Sequence, residues 1–134
     1  MVPGQQPGAG GTETLLLVED EPSLRILACQ VLAAQGYAVL GACNGQEALK
    51  VVRDHQGPPI RLVITDVMMP LMGGVVMVEW LQVTHPGLRV LFTSGYSEDG
   101  VGCLEQGVEF LAKPYNCATL VGRVRALLDA ELPL

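Results

Sequence analysis

Polar side chains follow four short aliphatic runs of this chain. In chain order they are Glu19-Asp20-Glu21, Asp66, Thr93-Ser94 and Lys113-Pro114. Carboxylates that converge repel one another, and a hard divalent cation with oxygen ligands, of which Mg²⁺ is the best fit, stabilises such a set. An ammonium and a hydroxyl beside the cation can bind phosphoryl oxygens. These residue types point to phosphoryl chemistry at a metal site, provided that the fold brings the four places together.

Each of these residues also has an ordinary structural interpretation. Asp20 precedes Pro22 and is placed to cap a helix. A Lys-Pro pair after a strand is commonly a turn, and a serine there often bonds the backbone. The combination favours a shared site, because four separate run ends carry such residues in a chain with 16% charged residues.

The aliphatic runs alternate with segments of helical period, which predicts a repeated βα pattern and a parallel sheet. The predicted strands are Thr14–Val18, Tyr37–Ala42, Leu62–Asp66, Arg89–Thr93 and Glu109–Ala112. The predicted helices are Pro22–Gln35, Gly45–His55, Gly74–Thr84, Ser97–Gln106 and Cys117–Glu131. Strands that are aliphatic throughout suit a sheet covered by helices on both faces, so we expect a three-layer α/β sandwich. Ligands bind such sheets at the carboxyl ends of the strands, where the polar residues lie.

Composition limits the classes of function. The chain has 134 residues, a net charge of −6 and no basic cluster, so direct binding of nucleic acid is not expected. Its apolar runs are too short to span a membrane and it lacks a secretory signal, so we expect a cytoplasmic protein. The four cysteines form no CxxC pair and are expected to be reduced. Residues 1–12 have the composition of a linker, and residues 13–134 are expected to form one domain.

Four segments, LLLVEDEPSLRIL, VITDVMMPLMGG, VLFTSGY and FLAKPYN, resemble in this order the receiver domain of two-component response regulators. The resemblance implies a (βα)5 flavodoxin-like sandwich with strand order 2-1-3-4-5. It further implies that Asp66 accepts a phosphoryl group from a phosphohistidine, with Mg²⁺ held by Glu19, Asp20, Asp66 and the backbone carbonyl of Met68.

The resemblance assigns roles to three further residues. Ser94 matches the switch hydroxyl that bonds the phosphoryl group, and Lys113 matches the lysine that pairs with it. Phe110 matches an aromatic switch that turns inward on activation. The resemblance also implies that the Lys113-Pro114 bond is a candidate cis peptide, because the corresponding bond of the family is typically cis. Bulky Met68 and Tyr96 flank the site, so we expect slow self-dephosphorylation.

Two departures from the family pattern stand out. The loop after Asp66 reads Pro70-Leu71-Met72-Gly73-Gly74 and lacks the usual acidic cap of the following helix. The helix predicted over Ser97–Gln106 contains Gly100 and Gly102, each of which lowers helix stability by about 1 kcal/mol. That helix is expected to be marginal, and the usual dimer is not assumed.

The first predicted helix carries information about a partner. Its core stripe is assigned to Leu24, Leu27, Ala28, Val31 and Leu32. Ile26, Cys29 and Ala33 then fall on the opposite face beside Arg25 and Gln30, which suggests a docking surface for another helix. In the resembled family this helix contacts the histidine-bearing domain of a kinase or a histidine phosphotransfer protein. Singly exposed apolar residues are normal, so an ordinary solvent face remains an alternative.

The sequence leaves the wider context open. No output domain follows in the printed sequence, so we expect output through protein contacts. The sequence most resembles the C-terminal receiver of a hybrid sensor histidine kinase. A stand-alone single-domain response regulator is the alternative. A haloacid-dehalogenase-like phosphohydrolase would need a second aspartate at the position of Met68. A flavodoxin-like FMN carrier would need a phosphate loop where Glu19-Asp20-Glu21 stands, and a degenerate receiver would lack some of the site residues.

Overall fold

A computed structural model describes residues 11–94 and 109–130. It contains five parallel strands in the order β2-β1-β3-β4-β5. The strands are β1 (Thr14–Val18), β2 (Ala38–Ala42), β3 (Ile60–Asp66), β4 (Arg89–Ser94) and β5 (Glu109–Ala112). The predicted α/β class and strand order are therefore confirmed.

Four helices belong to the described residues: α1 (Pro22–Ala34), α2 (Gly45–Asp54), α3 (Gly74–Thr84) and α4 (Cys117–Asp129). The helix predicted over Ser97–Gln106, Tyr96 and the first ten residues of the linker predicted over residues 1–12 lie outside the described residues. Within the described parts, no helix has both the length and the apolarity needed to cross a membrane.

Side-chain alternation along the strands divides the core into two halves. Leu15 and Leu17 of β1 pack with residues of α1 and α4 on one face of the sheet. Leu16 and Val18 pack with residues of α2 and α3 on the other face. All four side chains are at most 2% exposed, as expected for a central strand covered on both sides.

Local sequence accounts for the helix ends. Asn44 caps α2 through its side chain, as predicted, and Asn116 does the same for α4. At α1 the capping side chain is Glu21, which accepts from the N–H of Ser23, so the Asp20 cap considered from sequence is wrong. Gly73 precedes α3 without a side-chain cap, in keeping with the missing acidic residue.

Two assignments on α1 are wrong. Leu27, placed in the core stripe, is 50% exposed. Cys29, placed on the outer face, is half-buried and packs against the core. The helical period gives the spacing of a stripe, but it does not give the direction in which the stripe faces when apolar residues occur all round the helix.

Candidate functional site at the carboxyl edge of the sheet

Glu19 follows β1 directly and is 3% exposed. Its backbone N–H donates to the carbonyl of Ala42 at 3.0 Å, which continues the pairing with β2. The guanidinium of Arg25 donates to the backbone carbonyl of Glu19 at 2.8 Å. The Oε2 of Glu19 accepts from the N–H of Glu21 at 3.0 Å. The carboxylate is therefore held by the backbone of Glu21 at the N-cap of α1, and the Glu19 carbonyl is held by Arg25 of the first turn.

Asp66 is the last residue of β3 and is 8% exposed. Its backbone is closely covered: the hydroxyl of Thr65 donates to its carbonyl at 3.0 Å. A Cβ placed on Gly74 would lie 2.1 Å from the same carbonyl oxygen. Glycine at the start of α3 thus allows the helix to approach the strand that carries this carboxylate.

Lys113 joins the two carboxylates. Its Nζ donates to Oδ2 of Asp66 at 2.8 Å and also to Oε1 of Glu19. The Lys113-Pro114 peptide bond is cis, which confirms the sequence expectation, and the N–H of Lys113 donates to the carbonyl of Ser94 at 2.8 Å. The lysine is thus positioned by β4 and by the proline turn.

The acidic side chains form a group that suits a cation. Carboxylate oxygens of Glu19, Asp20 and Asp66 all lie within 4.8 Å of one another. Glu19 and Asp66 are buried while Asp20 is exposed, so the group is open to solvent on one side. Three carboxylates against one ammonium leave an excess of negative charge, and hard oxygen donors are what Mg²⁺ prefers. The residues present therefore fit a bound divalent cation.

Burial and ion pairing shift the pKa values of this cluster in opposite directions. Burial raises the pKa of Glu19, although the hydrogen bond from Lys113 acts in the other direction. Burial by itself lowers the pKa of Lys113, but its hydrogen bonds to Asp66 and Glu19 outweigh this, so the lysine pKa is raised overall. The ammonium is the charged form at neutral pH and holds the two carboxylates together.

The remaining predicted residues lie around this cluster in different ways. Ser94 ends β4 and is 1% exposed. Phe110 lies on β5 and is half-buried, packed against the core shared with α2 and α3. Met68 lies in the loop after β3, and its side chain is 63% exposed. Leu71 of the same loop has φ 69°, a left-handed conformation that is uncommon for a leucine.

Sequence reasoning missed Tyr115. With Leu24, Lys113 and Pro114 it lines a cavity of about 430 Å³ beside the cluster. Burial, followed by the charge of Glu19, raises the pKa of this tyrosine. The available signal was its position directly after the Lys-Pro turn, which places its ring next to the lysine.

On α1, the predicted docking residues divide into two groups. Ile26 is 55% exposed, and Gln30 and Ala33 are exposed as well. Arg25 is half-buried because its guanidinium bonds the Glu19 carbonyl, and Cys29 belongs to the core side, as described above. The outward face of α1 therefore carries Ile26 and Leu27 where Ile26 and Cys29 were expected.

Comparison with known proteins assigns the family. The profile described as "Response regulator receiver domain" matches residues 15–125. The chain belongs to the response regulator receiver domains. The solved receiver domain of the hybrid histidine kinase CckA is 38% identical to it, with a TM-score of 0.74, and the match covers 87% of this chain and 99% of that one.

Two curated relatives extend this result. The chain is 35% identical over 124 residues to the sensor kinase CckA of Brucella abortus, covering 90% of this receiver domain and 13% of the relative. It is 37% identical over 116 residues to the transcriptional regulatory protein CpxR of Escherichia coli K12, covering 85% of the receiver domain and 48% of the relative. The chain thus spans only a part of these longer proteins. Membership in the receiver family gives no support to the haloacid-dehalogenase alternative.

Proposed function

We propose that this receiver domain accepts a phosphoryl group on Asp66 from a phosphohistidine of a histidine kinase or a phosphotransfer protein, in a Mg²⁺-dependent reaction. The observation that carries the proposal is the position of the Lys113 ammonium, which is 2.8 Å from the Asp66 carboxylate and also bonds Glu19, two members of a group of three carboxylates. A fixed cation beside a nucleophilic carboxylate suits phosphoryl transfer, in which negative charge spreads over the phosphoryl oxygens.

The phosphoryl transfer needs no general base, because Asp66 attacks as a carboxylate. An oxygen of Asp66 attacks phosphorus in line, the P–N bond to the donor imidazole breaks, and its electron pair stays on the imidazole nitrogen. Mg²⁺, held by Glu19, Asp20, Asp66 and the Met68 carbonyl, would supply neutralisation of charge on the phosphoryl oxygens. Lys113 keeps its ammonium next to the acceptor oxygen and stabilises the acyl phosphate that forms.

Ser94 and Phe110 are the proposed means of transmitting the change. Ser94 lies at the carboxyl end of β4, next to β3 in the sheet, where its hydroxyl can bond a new phosphoryl oxygen. Phe110 is half-buried against one half of the core, so an inward rotation would change the packing on the α2–α3 side. The product is a mixed anhydride, and with Met68 and Tyr96 as neighbours it should hydrolyse slowly.

The phosphodonor is proposed to dock on the outer face of α1. Ile26 and Leu27 are 55% and 50% exposed there, beside exposed Gln30 and Ala33. Arg25 lies at the inner border of this face and bonds the backbone of Glu19, so a helix bound here would lie next to the acidic cluster. Replacing Ile26 by Glu should slow transfer from a phosphorylated histidine phosphotransfer protein and leave acetyl phosphate reactivity unchanged. Val83→Glu, on the opposite side of the sheet, is the matched control.

Similarity to the receiver of CckA favours a place in a hybrid sensor histidine kinase. A single-domain response regulator that acts through protein contacts is the second candidate, and the similarity to CpxR is equally compatible with a receiver joined to another output. The chain spans only 13% and 48% of these two relatives. The activity of a longer protein that contains this receiver domain is therefore proposed as well.

The decisive experiment is intact-protein mass spectrometry after incubation with acetyl phosphate and Mg²⁺. The wild-type chain should gain one phosphate, and neither Asp66→Asn nor a sample treated with chelator should do so. The decay of the adduct after donor removal tests the proposed slow hydrolysis, and decay within seconds would contradict it. An adduct that persists in Asp66→Asn would refute the assignment of Asp66. Absence of any adduct, together with no binding of fluoroberyllate, would indicate a phosphorylation-independent interaction module.

A further inference from the structure

A second surface on the molecule is not used by the proposed phosphotransfer. It is a groove of about 710 Å³ between α2 and α3. Leu49 and Val52 of α2 line it on one side, and Trp80 and Leu81 of α3 line it on the other. Trp80 is 63% exposed, although burial of an aromatic ring of this size is strongly favourable.

The outer side of α3 continues this apolar surface. Val76, Trp80 and Val83 have the spacing i, i+4, i+7 and are 48%, 63% and 78% exposed. At 1.5 Å per residue the three positions form a stripe about 10 Å long on one face of the helix. A single exposed valine needs no explanation, but a continuous apolar stripe beside a groove is typical of a surface that binds a partner.

The charged side chains that line the groove, Lys50 and Arg53, carry the opposite sign to the protein as a whole, whose net charge is −6. Arg53 also pairs with Asp54 at 3.3 Å, but the two side chains are 71% and 61% exposed, and such a pair is weak. The groove therefore has a basic border on its α2 side, while exposed Glu79 of α3 lies on the far side of the Val76, Trp80 and Val83 stripe. A second copy placed across a twofold axis would bring the same cations together, so charge disfavours self-association here.

The groove also lies apart from the phosphodonor surface. α2 and α3 pack on the face of the sheet that carries Leu16 and Val18, whereas α1 packs on the face that carries Leu15 and Leu17. A partner in the groove and a donor on α1 would be separated by the sheet and would not compete for space.

We propose that the α2–α3 groove binds an amphipathic helix of another protein, with an apolar stripe facing Trp80 and acidic residues on the flank that faces α2. The apolar stripe of such a helix fills a hydrophobic groove through side chains at i, i+3, i+4 and i+7. Its acidic flank pairs with Lys50 and Arg53. The proposal stands independently of the phosphorylation of Asp66.

Trp80 provides the measurement, because it is the one tryptophan of the chain. The probe is a synthetic helical peptide of about five turns, with leucines at the four stripe spacings and glutamates on one flank. The matched peptide has lysines in place of the glutamates. Titration of the full chain with the glutamate peptide should shift Trp80 emission to shorter wavelength and saturate, and added salt should weaken the binding.

The variant that tests the charges is Lys50→Glu combined with Arg53→Glu. Reversal of two border charges should raise the dissociation constant about tenfold or more, since each attraction becomes a repulsion. Arg61→Glu changes an exposed cation outside the groove and should bind like the wild type. Equal melting temperatures of the two variants show that folding is intact, and the salt titration of the wild type provides a test that needs no variant.

Three results would overturn the proposal. The first is the absence of a saturable emission shift with the glutamate peptide. The second is an equal response to both peptides, which would mean unspecific apolar contact. The third is a shift that depends on protein concentration without peptide, which would show that a second copy covers the groove. Binding should be unchanged in Asp66→Asn, so failure here and failure of the phosphotransfer proposal can be told apart.

Discussion

Two ionic clusters lie at opposite ends of β1 and differ in how fully their charges are compensated. At the carboxyl end, Lys113 joins Glu19 and Asp66, with Asp20 nearby. At the amino end, Arg125 of α4 binds Glu13 through both of its terminal nitrogens, at 3.3 and 2.8 Å. Both are built around one cation of the C-terminal part of the chain and a carboxylate next to β1.

The amino-end cluster is closed. Arg125 also donates to Oδ1 of Asp129 at 2.8 Å and to the hydroxyl of Tyr37 at 3.2 Å, so its planar guanidinium satisfies several acceptors at fixed angles. The hydrogen bond from Arg125 lowers the pKa of Glu13, and the bonds to Glu13 and Asp129 raise the pKa of Arg125. Asp129 is 63% exposed, so water solvates its remaining charge.

The carboxyl-end cluster is open to a ligand. The side chains of Glu19 and Asp66 are 4% and 11% exposed, so water compensates little of their charge. One ammonium, which acts as a point charge without the geometry of a guanidinium, faces three carboxylates. Both clusters contain ion pairs, but only the carboxyl-end cluster leaves buried charge incompletely paired. Incomplete pairing of buried charge, more than the presence of ion pairs, therefore distinguishes a candidate binding site from a structural contact.

The largest expected difference between the clusters is in phosphorylation. Lys113→Gln should reduce the rate of adduct formation with acetyl phosphate by about 100-fold, because a preorganised cation at the transferring group is removed. Arg125→Gln should leave the rate unchanged. Mass spectrometry over time measures both rates. A normal rate in Lys113→Gln would mean that the lysine only holds the folded carboxylates together.

The amino-end cluster should matter for stability although it does not matter for phosphorylation. Arg125→Gln should lower the free energy of unfolding by about 2 kcal/mol, because Glu13 then keeps a partly buried charge without its partner. The side chains of Arg125 and Glu13 are 15% and 22% exposed, which places the pair between surface and core. Urea unfolding at neutral pH measures the change. An unchanged midpoint would show that the α4 contact with the start of β1 contributes nothing.

Magnesium should act on one cluster alone. At a concentration tenfold above its dissociation constant, Mg²⁺ should stabilise the wild type by about 1.4 kcal/mol, because the folded state binds it and the unfolded state does not. Glu13→Gln should gain the same amount. Asp20→Asn should gain little, since it removes one of the three carboxylates. Thermal melts with and without Mg²⁺ provide the measurement, and an equal gain in Asp20→Asn would contradict the metal site.

The smallest expected effect concerns pH. The pKa of Glu13 is lowered from 4.5 in the folded protein, so its ionisation stabilises the fold above that value, and the contribution is lost as the pH falls through the lower folded pKa. Glu13→Gln should therefore be less stable than the wild type by about 1 kcal/mol at pH 7, and this difference should shrink in acid below pH 4.5. A constant difference across this range would exclude the ionisation of Glu13 as its cause.

Much of the fold could be predicted because it depends on local patterns. The aliphatic strands and the Asn44 cap were predictable from local sequence, whereas the cis peptide bond before Pro114 was expected only from the family resemblance. The first residues of two strands were predicted less accurately. β2 begins at Ala38 although Tyr37 was expected in it, and β3 begins at Ile60, two residues before the expected start at Leu62. Tyr37 is 4% exposed because it belongs to the core on the side of α1 and α4, and its hydroxyl accepts a hydrogen bond from Arg125, a contact that no local pattern indicates.

The convergence of the candidate site residues was predictable, but their contacts were not. Parallel strands bring Glu19, Asp66, Ser94 and Lys113 to one edge of the sheet, so their convergence follows from topology. That Lys113 bonds both Glu19 and Asp66 depends on side-chain geometry between residues 94 and 47 positions apart. The bond of Arg125 to Glu13 spans 112 positions and has no sequence signature at all.

The contact between Gly74 and the Asp66 carbonyl has an evolutionary consequence. Position 74 has no room for any side chain, since even a Cβ would lie 2.1 Å from that oxygen. A substitution there would displace either the strand end that carries Asp66 or the helix that carries Trp80. The amino acid at position 74 is therefore not free to change by itself, and an insertion or deletion in the loop between β3 and α3 can survive only if a glycine remains at this contact.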